Sequence, residues 1–185
     1  MSTLEEADRY RIAWYGATIF LSSAILLVIE ITAGRLIAPY VGVSIYSWTS
    51  IIGVILAGLS LGNWLGGRWA DRGGSEKSTG IVLALAGIFC ILSLMTLTLI
   101  APLLQGSQLD LVSSSFLYVL SMFFVPSVLL GIPTPLLTTL ALHMDQRAGQ
   151  IVGRMHALAA LGSIIGTFLT GYVLIQYFGS RNIIT

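Results

Sequence analysis

Short polar stretches interrupt this chain at 71–78, 105–110 and 145–150, and Pro39 and Gly42 punctuate a briefer link. Between these breaks the sequence is almost continuously apolar. From Trp14 to Gly67 the only charged residues are Glu30 and Arg35, and from Ser78 to His143 the only one is Asp110. Uncharged apolar runs of about 20 residues read as membrane-spanning helices. The pattern predicts five, at about 12–38, 45–70, 79–104, 111–143 and 151–178, in a single transmembrane domain covering 1–185. The expected fold class is an all-α polytopic helix bundle. At a helical rise of about 1.5 Å per residue the fourth run is roughly 50 Å long, against about 30 Å of hydrocarbon. Pro126, Pro133 and Pro135 lie within it. They remove backbone donors, and so favour one bent helix over two half-helices.

Composition narrows the function classes. Charged residues are 9% of the chain and hydrophobic ones 56%, too little charge to clothe a soluble domain of 185 residues. The net charge is +1 with no basic tract, which gives no sign of nucleic-acid binding. The first apolar run is too long for a cleaved signal peptide and is expected to remain in the bilayer. Seven basic residues, Arg9, Arg11, Arg68, Arg72, Lys77, Arg147 and Arg154, fall on one side of the five-span plan, and Arg35 and Arg181 on the other. That bias puts the N-terminus in the cytoplasm. The expected location is the prokaryotic plasma (inner) membrane. Trp14, Trp48, Trp64 and Trp69 mostly fall near span ends, where aromatic anchors belong.

Glu30 lies in the middle of the apolar run from Ile19 to Ile37. A carboxylate is costly in hydrocarbon and is rarely placed there without a partner or a task. It is either a structural carboxylate bonded to a neighbouring helix or a site for a cation or proton. Arg35, five residues on, is not an ideal helical neighbour and can snorkel outward. Asn63 on the second helix and His156 on the fifth complete the candidate intramembrane polar site. Asn63 is expected to bond across helices, and His156, with Arg154, to line a cytoplasmic vestibule. Two histidines and the single Cys90 show no metal-ligand spacing, so neither metal nor cofactor is expected. No nucleophile signature is present, and no catalytic residues are assigned. Gly58, Gly62 and Gly66 form one stripe on the second helix, and Gly162, Gly166 and Gly171 repeat the theme on the fifth. Small residues at this spacing let helix backbones approach closely, for packing or sliding.

The turn Gly67-Arg68-Trp69-Ala70-Asp71-Arg72-Gly73-Gly74 resembles the loop signature of the major facilitator superfamily. The resemblance implies that Asp71 and Arg72, with Gly67, hold one conformation of a transporter. The basic cluster of that signature is thinner here, with only Lys77 following Glu76. The stretch from Glu30 through Pro39 to Gly42 is similar to the first-helix signature of membrane proteins fused to spermidine-synthase-like domains. Tyr46 to Gly62, Pro126 to Gly131 and Gly153 to Thr167 continue the likeness. It implies a half-facilitator-like membrane unit with a further helix starting near Arg181. The aminopropyltransferase part of that family, with its glycine-rich nucleotide loop, does not occur in this sequence, so enzyme activity is not carried over.

Two functions follow as expectations. One is a transporter-like half unit, in which Glu30 attracts a small cationic or organic solute and a homodimer or another half completes the pathway. The other is an accessory subunit of a larger membrane complex, with the glycine faces as docking surfaces.

Overall fold

The computed structural model describes residues 2–106, 109–145 and 147–184. Met1, Ser107, Gln108, Gln146 and Thr185, and the side chains of residues 2–5 and of Arg181, lie outside the described residues. The helices are α1 (Ser2–Val41), α2 (Ile45–Asp71), α3 (Glu76–Gln105), α4 (Leu111–Gly131), α5 (Pro133–Leu142), α6 (Ala148–Leu169) and α7 (Ile175–Ile184). A π-helical turn, Thr170–Leu174, joins α6 to α7. No strand occurs among the described residues. Because α4 runs into α5 and α6 into α7, the chain forms five rods long and apolar enough to cross a bilayer. It is an all-α polytopic membrane bundle, as the spacing of its polar turns predicts.

The helix ends show why the rods stop where they do. α1 runs past the expected limit at Pro39 and also takes in the polar segment before Ile12. Proline costs the last turn one donor, but the stop is made by Gly42, whose φ of 73° leaves the helical region. Its N–H donates to the Ala38 carbonyl at 2.9 Å. α2 ends in a Schellman turn: Gly74 N–H donates to Trp69 O at 3.0 Å and Gly73 N–H to Ala70 O at 3.1 Å, with Gly73 at φ 88°. Ser75 then caps α3 in a reciprocal box with Ser78. Asp110 caps α4 by accepting from Val112 and Ser113 N–H at 3.2 and 3.4 Å. Hydrogen bonding by Ser113, then by these backbone groups, holds the Asp110 carboxyl below its ordinary range.

The fourth rod is one bent helix. Ile132, at φ −60° and ψ −42°, keeps helical torsions across the α4–α5 junction. Pro133 and Pro135 supply no N–H there, and the bond from Leu136 N–H to Ile132 O is stretched to 3.4 Å. At the other end of the chain, Gly179 (φ 72°, ψ 156°) breaks α7. A second helical segment follows that kink, where a further helix was expected to start near Arg181, and its Ile184 is buried with core residues of α1 and α3.

Lipid gives apolar helices no hydrophobic reason to associate, so close packing must hold the bundle. Two glycine seams provide it. A Cβ at Gly58 would stand 2.7 Å from Ser127 Cβ and 3.0 Å from Phe124 O, and one at Gly66 2.8 Å from Pro135 Cγ. Gly131 meets this seam from α4, where an added Cβ would lie 3.2 Å from the Cα of Gly62. On the other side of the bundle, a Cβ at Gly162 would lie 2.9 Å from the Phe20 carbonyl carbon, and one at Gly166 2.9 Å from Ala24 Cα. Thus α2 is pressed onto α4–α5 and α6 onto α1. The expectation for Gly171 is corrected: it faces open space and packs nothing. Four residues beyond Gly166 the stripe continues through Thr170, which is fully buried.

Between the seams, α1 acts as a spine. Ile12, Tyr15 and Ile19 pack with Leu137, Ala141 and Met155. Farther along, Ile29, Ala33 and Ile37 join Ile51, Ile55 and Phe123. Buried Ser93, Ser115, Ser127 and Thr170 hydroxyls donate to carbonyls one turn back at 2.6–2.7 Å, which satisfies them inside hydrocarbon.

Gly62→Leu should force α2 off α4 and cost on the order of 1–3 kcal/mol, as overpacking does. Gly171→Ala should stay within about 0.5 kcal/mol of the parent chain. Thermal unfolding in a mild detergent measures both, and equal midpoints would show that the seam is not what holds α2.

Candidate functional site

Glu30 projects from the spine helix within its apolar run and is half-buried. One turn on, Gly34 lets the Trp48 indole of α2 lie against α1: a Cβ there would be 3.1 Å from the ring. Leu26 and Ile37 on the same helix are buried. The Glu30 carboxylate makes no hydrogen bond or ion pair with any described residue. It therefore does not act as a bonded strut between helices. A second polar atom on α1 shares this state: Thr32 Oγ1 is fully buried and has no hydrogen-bond partner.

The other three candidates are not gathered around Glu30. Arg35 is exposed, and five residues of helix turn it roughly 140° away from Glu30. Asn63 is exposed on α2 and makes no bond to another helix, which corrects the cross-helix bond expected for it. Trp48 is level with Gly34, and Asn63 lies 15 residues further along the antiparallel α2. Glu30 and Asn63 are thus separated by roughly 16 Å along the bundle axis. His156 is exposed near the start of α6. Arg154 does line a cleft at that end, but His156 does not. Among the described residues no three His, Cys, Asp or Glu side chains converge as metal ligands would.

A mid-bundle cavity of about 560 Å³ lies elsewhere, between α1 and α3. Thr18, Ser22, Ile29, Ala86 and Cys90 line it, together with Ile183 and Ile184. Glu30 is not part of its wall. The loop motif is also open. Asp71 and Arg72 are exposed and make no side-chain bond with any described residue, a Cβ at Gly67 would meet open space, and Arg68 lies 5.5 Å from the Trp64 ring centroid.

One polar cluster was missed by the sequence reading. Arg11 Nε donates to Glu76 Oε1 at 3.0 Å, and the Tyr15 hydroxyl donates to the same oxygen. This ties the start of α3 to the spine across 65 positions of sequence. The available signal was local: Arg11 and Tyr15 are one helical turn apart on the same face, and Glu76 follows a capping serine.

No protein family, curated protein or solved structure matches this chain. Its own geometry carries the functional reading.

The Gly34–Trp48 contact makes the surroundings of Glu30 measurable. In a chain whose only tryptophan is Trp48, Gly34→Val should displace the indole and shift its emission, while Gly53→Ala, which faces open space, should not. Identical spectra for all three chains would show that Trp48 does not cover the Glu30 face.

Proposed function

We propose that the chain is a transporter-like membrane half unit that offers Glu30 to a small cationic or organic solute. One observation carries this reading: a half-buried carboxylate within the apolar run of α1 that has no partner among the described residues. An anion left without a bond in apolar surroundings is the group a cationic solute or a proton would neutralise. The two glycine seams support the same reading, because they bind the helices into tight pairs able to move as units. The likeness of the 67–74 turn to the facilitator loop, and of the first helix to spermidine-synthase-linked membrane proteins, points the same way. A single bundle of five rods does not enclose a pathway, so a second copy or another half would complete it.

Asn63 favours a second reading, an accessory subunit of a larger membrane complex. An exposed amide within the membrane-spanning part of α2 is costly against lipid and is best satisfied by a neighbouring chain. The two readings separate on purification in mild detergent: a homodimer supports the first, and stoichiometric recovery with unrelated large subunits supports the second.

Uptake of a panel of small amines into vesicles tests the role of Glu30. Glu30→Gln should reduce flux at least tenfold, with the protein level in the membrane unchanged. Equal flux for both chains removes Glu30 from the mechanism.

A further inference from the structure

At the end of the bundle where α1 and α6 begin, a cleft of about 680 Å³ opens between them. Arg9, Arg147 and Arg154 reach into it, opposed by Glu6 and Asp145. The five side chains sum to a net charge of +1. Their pairing is uneven. Arg147 holds Asp145 through two side-chain bonds, at 3.1 and 3.2 Å, which keep that carboxyl below its ordinary range and charged. Asp145 is therefore already engaged. Arg9 and Arg154 make no hydrogen bond or ion pair with any described residue. Among the described residues, Arg9 and Arg154 thus bring two guanidinium groups without a partner to one cleft, with Glu6 as the acid beside them that makes no bond with any described residue.

The cleft also has a floor and a depth. Ile12, Ala13 and Ile151 form its apolar side. Tyr10 stands at its edge and packs edge-on against Trp14 with ring centroids 6.1 Å apart, both rings well exposed. Exposed amphipathic aromatics of this kind mark the headgroup level of a bilayer. The first turn of α6 faces the same space through Gln150 and Ile151, and no side chain caps its N–H groups. These add a partial positive charge to that of the arginines.

We propose that this cleft binds the phosphate group of an anionic molecule, with Arg9 and Arg154 as its principal ligands. Guanidinium groups recognise phosphate through paired N–H donors, and basic pockets between membrane helices on one face hold anionic headgroups. The apolar floor and the headgroup depth favour an anionic phospholipid over a soluble phosphate. This site is separate from Glu30 and does not depend on the transport reading.

The test uses the full chain in detergent micelles, with thermal unfolding as the readout. Phosphatidylglycerol, phosphatidylcholine and glycerol phosphate are titrated separately. Phosphatidylglycerol should raise the midpoint of the parent chain, and the apparent affinity should fall at least tenfold in the Arg9→Gln/Arg154→Gln chain. Both arginines are exposed and make no bond with any described residue, so that variant should unfold at the parent temperature when no lipid is added. A charge-matched control, Arg68→Gln/Lys77→Gln, should keep the parent affinity. If glycerol phosphate reproduces the effect at equal concentration and the double variant loses it, the cleft is a phosphate site with a soluble source. Equal affinities in the parent and Arg9→Gln/Arg154→Gln chains, an equal loss in the charge-matched control, or an equal response to phosphatidylcholine overturns the proposal.

Discussion

The bundle depends on backbone meeting backbone along two glycine seams. Apolar side chains gain little by leaving lipid for one another, so attraction between these helices rests on dispersion at short range. That attraction needs surfaces without protruding side chains. Gly58, Gly62 and Gly66 supply one surface for α4–α5, and Gly162 and Gly166 supply another for α1. The seams fix which helices are partners. Once α6 lies on α1 and α2 on α4, α3 is left at the margin, held along α4 and at its first turn by the Arg11–Glu76–Tyr15 cluster. The cavity between α1 and α3 lies where neither seam reaches.

Much of this was legible in the sequence because charge is confined to the turns. The five rods fall where the uncharged runs fall, and the proline-rich fourth rod bends as three missing donors require. What hydropathy does not encode is rotation about the helix axis. When every face of a helix is apolar, nothing in the pattern says which face turns inward. Asn63 was therefore read as inward and points outward. Gly171 was read as part of the seam, but the fourth-residue stripe passes through Thr170 and leaves Gly171 about 100° away, inside a π-helical turn. The tie from Arg11 to Glu76 was invisible for another reason. It depends on how two rods dock, and no local spacing encodes that.

Polar groups are treated differently at the ends and in the middle of the bundle. At the ends, Ser44, Ser75 and Asp110 cap three helices, Gly42 and Gly73 close two more turns, and Arg11 and Arg147 find carboxylates. In the rods most buried hydroxyls bond back to their own helix. Against that background Glu30, Thr32 and Asn63 stand out as groups with no partner among the described residues. A buried hydroxyl without a bond costs about 1–3 kcal/mol, and a carboxylate in hydrocarbon costs more.

These groups do not share one patch, which bears on what could satisfy them. Thr32 is sealed within the bundle, and at its position on α1 it lies one turn past Ile29 of the α1–α3 cavity wall. Glu30 lies on another side of the same helix, just below the Trp48 contact, and Asn63 lies on α2 nearer the arginine-rich end. A solute or proton can serve Glu30, and a second chain can serve Asn63 on the outer surface, without either interfering with the seams. The transporter-like and docking readings therefore rest on different faces of the molecule.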